Sequence, residues 1–199
     1  MDNMLQQQLE DAIWVAKTLF DRNKATGSSA NISFRVDDKV YISGTGTSLG
    51  RLAKDDFAVM DMDGTLLAGA KPSKEFPLHL HCYRHDPEAG AVIHTHSFHC
   101  AVWSIIKDYD SNDAVPKYTP YLDMKLGKIR TVPYAPPGSE TLFDLFASRL
   151  GDGKGYLLEN HGPVVFDKNL LAAFYGLEEL EESCRIALAM RGTDAERIK

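Results

Sequence analysis

The chain has 199 residues, 44% of them hydrophobic and 25% charged, enough length and apolar content to bury a core without disulfides. Its formal net charge of −6 argues against nucleic acid or an anionic membrane as the main partner, but local donors can still hold an anionic small substrate. No apolar run approaches the roughly 18–20 residues needed to cross a bilayer. The N-terminus lacks a basic region followed by an apolar one. Cys82, Cys100 and Cys184 stand outside any C-x-x-C spacing, which suits free thiols in a reducing compartment. A soluble, cytoplasmic protein is expected.

Leu5, Leu9, Ile13, Ala16, Leu19 and Phe20 recur at helical spacing, so the first twenty-odd residues read as an amphipathic helix ending before Gly27. Two extended runs follow, Asn31–Val36 and Lys39–Ser43, joined at Asp37-Asp38 as a hairpin. A second hairpin fits Phe57–Met62 and Thr65–Leu67 around Asp63-Gly64. Lys74 to about His85 reads as a short helix with Pro77 in its first turn. Ala91–His96 and Ile129–Tyr134 read as strands, and Ser139 as the N-cap of a helix running to Leu150. Tyr156–Glu159 and Pro163–Phe166 are two more strands, turning at Asn160-His161-Gly162. Leu170, Phe174, Leu177, Leu180, Cys184 and Leu188 mark a closing helix to Met190, with Glu178, Glu179, Glu181 and Glu182 mostly on its wet side. Tight hairpins exclude an all-parallel sheet, so a largely antiparallel sheet with packed helices is expected, in one domain over residues 1–199.

Chemistry concentrates in His94-Thr95-His96. On a strand, residues i and i+2 share a face about 6.5–7 Å apart, so both imidazoles can converge on one ion. Such a pair is equally compatible with two histidines on a polar strand face. His161 follows an apolar strand and precedes a glycine that permits a sharp turn, a place open to a site residue or an exposed turn residue alike. Lys71-Pro72-Ser73-Lys74-Glu75 delivers a carboxylate at a helix start, where an acidic side chain by itself most simply favours the helix dipole. His79, His81, His85 and His99 fit packing, or hydrogen bonding to metal ligands, better than ligation.

Taken in order, five motifs resemble the class II aldolases and their relatives, a group with L-fuculose-phosphate aldolase, L-ribulose-phosphate 4-epimerase and the adducin head domain among its members. They are Ser29-Ala30-Asn31-Ile32-Ser33, Ile42-Ser43-Gly44-Thr45-Gly46, Lys71-Pro72-Ser73-Lys74-Glu75, Ala91 through Ser97, and Asn160-His161-Gly162. The resemblance runs from about Leu9 to Ala189. It implies a three-layer α/β/α sandwich around a mostly antiparallel sheet, in a cyclic homotetramer with active sites between subunits. It makes His94, His96 and His161 ligands of Zn2+ or another divalent transition metal. Glu75 becomes a ligand of the resting metal and then the acid/base. Ala30, Asn31, Thr45, Gly46, Ser73 and Lys74 become the substrate-phosphate loops. Two departures stand out: Ala30 replaces the family's glycine and Lys74 replaces a serine, the latter adding a cation suited to a phosphate or carboxylate.

A metal-dependent carbon–carbon lyase is therefore implied, acting on a phosphorylated keto sugar or keto sugar acid through an enediolate. Thr119 through Gly127, with the surrounding motifs, looks most like the branch that decarboxylates 3-oxo-tetronate 4-phosphates to dihydroxyacetone phosphate and CO2. There Lys125 or Lys74 would grip the carboxylate and Tyr121 would donate a proton, from a neighbouring subunit if its own site is out of reach. The second reading is an L-fuculose-1-phosphate-type or deoxyribulose-phosphate aldolase; the third is a non-catalytic interaction module like the adducin head. All three histidines and Glu75 speak against the third, and a glutamate rather than an aspartate speaks against the epimerases.

Overall fold

The computed structural model describes residues 3–198. Eight strands form one sheet: β1 (Asn31–Val36), β2 (Lys39–Ser43), β3 (Phe57–Asp61), β4 (Leu66–Gly69), β5 (Ala91–His94), β6 (Ile129–Val132), β7 (Gly155–Leu158) and β8 (Gly162–Asp167). Their order is β4-β3-β2-β1-β5-β8-β7-β6. Every neighbouring pair is antiparallel except β6 with β7.

Period-two alternation sorts the side chains of the central strands to two faces, and helices cover both. On one face Ile32, Phe34, Ile93 and Val165 meet α1 (Asn3–Asp21), α3 (Phe98–Ile105), α4 (Tyr121–Leu126) and α6 (Leu170–Met190). On the other, Val40, Ile42, Val92, Val164 and Phe166 meet α2 (Phe76–His85) and α5 (Glu140–Arg149). The result is the expected α/β/α arrangement. Ser139 caps α5 by accepting from the Leu142 N–H, a contact worth about 1 kcal/mol.

Several boundaries differ from expectation. β5 ends at His94 rather than His96, because its partner β1 begins at Asn31, directly opposite His94. Two helices were not anticipated. α3 (Phe98–Ile105) spans only eight residues and α4 only six, both shorter than the window over which a helical period is read from sequence. Glu181 lies not on the wet side of α6 but buried, at 2% exposure.

What matters for function is where strands stop. β2 ends at Ser43, β1 begins at Asn31, β5 ends at His94 and β8 begins at Gly162. The antiparallel registers Asn31↔His94 and His94↔Val164 gather these ends together. Asn31 and Ser33 share a face of β1, and His94 shares a face of β5 with Val92, on the side covered by α2.

Candidate metal centre and substrate cavity

His94 is fully buried, and its Nδ1–H donates to the Pro163 carbonyl at 2.8 Å. That bond fixes the neutral tautomer whose Nε2 lone pair points away from β8. His161 reaches the same place from the β7–β8 turn. Asn160 adopts a left-handed φ of 57°, and a Cβ on Gly162 would lie 2.3 Å from the Thr95 carbonyl oxygen. Only glycine lets this turn close on the Thr95–His96 backbone. The ring centroids are 5.1 Å apart for His94–His96, 4.8 Å for His94–His161 and 4.7 Å for His96–His161. One nitrogen from each ring lies within 4.8 Å of the others.

Glu75 occupies the N-cap position of α2, yet its side chain makes no capping bond. It turns instead toward the imidazoles, with Oε2 3.3 Å from His94 Nε2 and Oε1 3.6 Å from His161 Nε2. Burial, reinforced by His96, pushes His94 down to about 3. Burial and His94 do the same to His161. Burial also lowers His96, against the opposing pull of Glu75. The neutral His94 ring thus aims its Nε2 lone pair at the Glu75 carboxylate, an arrangement that is repulsive without a cation between them. In agreement, Glu75 Oε1, His94 Nε2, His96 Nε2 and both ring nitrogens of His161 are buried without a hydrogen-bond partner among the described residues. Such orphans are costly unless something satisfies them. Imidazole nitrogens with one carboxylate suit zinc or a similar transition metal, and not magnesium or calcium.

Beside this cluster is a cavity of about 220 Å³, lined by Ala30, Asn31, Thr45, Gly46, Ser73, Lys74, Glu75, His96 and His161 among others. Its two loops are stitched together: Thr45 N–H donates to the Lys71 carbonyl and Ser73 N–H to the Ser43 carbonyl, at 2.9 and 3.3 Å. Gly46 has a φ of 77°, a conformation that favours glycine and keeps this loop tight. Ser28, Gly44 and Pro137 also line the cavity, and sequence reasoning singled out none of them. Ser28 adjoins a recognisable motif and Gly44 lies inside one, whereas Pro137 lies in a turn with no chemical signal of its own. A larger cleft of about 910 Å³, between Trp103–Tyr118 and Ala187–Arg197, contains none of the expected site residues, so volume alone does not mark the site.

Residues 10–188 match the model of the family described as the class II aldolase and adducin N-terminal domain. The chain belongs to that family. It is 38% identical over 193 residues to a 3-oxo-tetronate 4-phosphate decarboxylase of Haemophilus influenzae, covering 96% of this chain and 91% of the relative. It is 35% identical over 178 residues to an L-fuculose phosphate aldolase of Methanococcus vannielii, covering 89% and 94%. The crystal structure of Escherichia coli YgbL superposes with a TM-score of 0.94 at 33% identity, covering 98% of this chain and 94% of that one.

Not every residue singled out on the family pattern reaches the cavity within one chain. Tyr121 is 56% exposed on α4 and does not line it. Lys125 lies over the Tyr175 ring at 5.6 Å, in a separate cleft with Glu178, Glu179 and Glu182. Lys74, by contrast, is at the rim of the cavity. His79 and His99 make hydrogen bonds within the protein, and His85 Nε2 lies 2.9 Å from the Gly151 carbonyl.

Proposed function

We propose that this family member is a divalent-metal-dependent carbon–carbon lyase that decarboxylates a 3-oxo-tetronate 4-phosphate to dihydroxyacetone phosphate. The observation that carries the reading is the set of orphaned imidazole nitrogens facing Glu75, next to a cavity edged by Thr45, Ser73 and Lys74. His94, His96 and His161 would hold the ion, zinc by the character of the donors. When bound, such an ion supplies Lewis-acid stabilisation for negative charge on substrate oxygens.

The chain's own residues do the rest. Ala30, Asn31, Thr45, Gly46, Ser73 and Lys74 bind the phosphate through backbone N–H groups, side-chain donors and one cation. Breaking the bond to the carboxyl carbon leaves an electron pair on the remaining fragment, and one proton must reach the neighbouring carbon. Glu75, held beside the imidazoles, moves that proton. Lys125 grips the carboxylate and Tyr121 serves as a donor, both acting in the site of an adjacent subunit of a homotetramer in the cytoplasm, each subunit a single domain over residues 1–199.

The test incubates zinc-loaded protein separately with a 3-oxo-tetronate 4-phosphate and with L-fuculose 1-phosphate. Dihydroxyacetone phosphate from the first alone is the expected result. Its appearance from the second alone would convert the assignment to an aldolase, and from neither would remove the lyase. Unchanged turnover of the keto acid by Lys125→Ala would end the carboxylate-clamp role.

A further inference from the structure

Behind Glu75 runs a buried file of polar side chains that starts at Asn31 on the cavity wall and continues through His79, Ser33 and Tyr83, which lie behind that wall. Asn31 Nδ2 donates to Glu75 Oε2 at 3.2 Å. Asn31 Oδ1 lies 2.5 Å from His79 Nε2. His79 Nδ1 is 2.7 Å from Ser33 Oγ, which is 2.7 Å from the Tyr83 hydroxyl. Asn31 is 4% exposed, Ser33 and His79 0% and Tyr83 1%, so the whole file is buried.

The carboxylate fixes the direction of every bond in this file. Glu75 Oε2 accepts from Asn31, so Asn31 turns its NH2 toward Glu75 and its oxygen toward His79. That oxygen also only accepts, so His79 carries its proton on Nε2. Nδ1 then accepts from the Ser33 hydroxyl, and Ser33 accepts from Tyr83. Burial, with His94 as a secondary cause, holds His79 down to about 3, so the ring is neutral as the file requires. A flipped Asn31 amide would instead point its oxygen at Glu75 and take away the one hydrogen-bond donor that carboxylate has among the described residues.

We propose that His79 is a positioning residue: through its Nε2–H it sets the Asn31 amide so that Glu75 is held and oriented beside the three imidazoles. Ser33 and Tyr83 fix the His79 tautomer from behind. The inference rests on the proposed lyase function for its kinetic consequences, but its structural content is independent of the substrate.

Three variants and one spectrum test it. His79→Leu fills the space without a donor; His79→Gln restores an N–H near the position of Nε2; Ser33→Ala removes the donor to Nδ1. Imidazole nitrogen NMR of the metal-free parent should show His79 as the neutral Nε2–H tautomer. His79→Leu should lower kcat on the keto acid by roughly 10–100-fold and weaken zinc binding by about tenfold. KM should change less than kcat, because Thr45, Gly46, Ser73 and Lys74 are untouched. His79→Gln should recover most of both losses, and Ser33→Ala should fall between. An Nδ1–H tautomer in the parent, a His79→Leu enzyme equal to the parent, or a His79→Gln enzyme as impaired as His79→Leu would each overturn the assignment. If His79→Leu does not fold, the parent's tautomer and His79→Gln still decide it. If the parent turns over neither substrate, the lyase reading falls, while the tautomer and the zinc affinities continue to judge His79.

Discussion

Glu75 and Glu181 are both buried carboxylates, at 4% and 2% exposure, and they are furnished in opposite ways. Glu181 accepts from the backbone N–H groups of His99 and Cys100, at 3.2 and 3.0 Å, and from His99 Nδ1 at 2.9 Å. Lys24 Nζ adds a cation at 3.3 Å. Burial alone would raise its pKa, but the bonds from Cys100, His99 and Ser97 outweigh that and hold it at about 2. Among the described residues Glu75 has a single donor, Asn31, one oxygen without a partner, and the His94 Nε2 lone pair for a neighbour. A carboxylate whose acceptor sites are filled by its own protein is a structural tie between α6 and the start of α3. One left wanting at the mouth of a cavity has capacity for a cation or a proton.

Exchanging the two glutamates for glutamine should therefore separate activity from stability. Glu75→Gln is expected to lower kcat by roughly 10²–10⁴-fold, the usual range for losing a general acid/base. Its metal-free melting temperature should stay level or rise, since a charge facing lone pairs has been removed. Glu181→Gln should do the reverse. Turnover per folded molecule should remain near that of the parent, while stability drops by about 2–3 kcal/mol through lost charge-assisted hydrogen bonds. For a chain of this size that corresponds to roughly 4–12 °C in Tm. A Glu75→Gln protein that turns over normally would erase the distinction.

Acid titration of the metal-free protein sharpens it further. His79, His94 and His161 are lowered from 6.5 to about 3, so below pH 6.5 the unfolded chain binds more protons than the folded one. Stability then falls as pH drops from 6.5 toward 3. Glu181 is lowered from 4.5 to about 2, so its contribution is complete above pH 4.5 and is lost as pH falls through about 2. Parent and Glu181→Gln should lose Tm in parallel between pH 6.5 and 4.5, and the variant should then show the shallower decline. Parallel curves throughout would mean that Glu181 is not the group held ionised.

Much of the sheet was legible because its signals are local. The run Asn31–Val36, the Asp37-Asp38 turn and Lys39–Ser43 define a hairpin without reference to anything else, and the structure has those boundaries. The stripe from Leu170 to Leu188 did the same for α6. The convergence of His161 on His94 and His96 was legible only through resemblance to a family, because it depends on the pairing of β5 with β8. Glu181 was misplaced for a related reason. Its partners are the backbone amides opening α3, a helix of only eight residues, shorter than the window over which a helical period is read. Asn31 and Ser33 could be put on one strand face by parity, but nothing local said that the helix bearing His79 covers that face.

The smallest expected effect asks which donors satisfy Glu181. Lys24 is its only side-chain cation among the described residues, yet at 23% exposure the ammonium stays partly hydrated. Backbone amides, by contrast, cannot leave without unwinding the start of α3. Lys24→Met should therefore cost only about 0.2–1 kcal/mol, the range of exposed ion pairs. Thermal melts of Lys24→Met, Glu181→Gln and the double variant form a cycle whose coupling term isolates the pair. Coupling below about 1 kcal/mol assigns the stability to the amides and His99. If Lys24→Met were as damaging as Glu181→Gln, the two buried carboxylates would differ in having a cation, and the count of hydrogen-bond donors would no longer explain why one is structural and the other free to act.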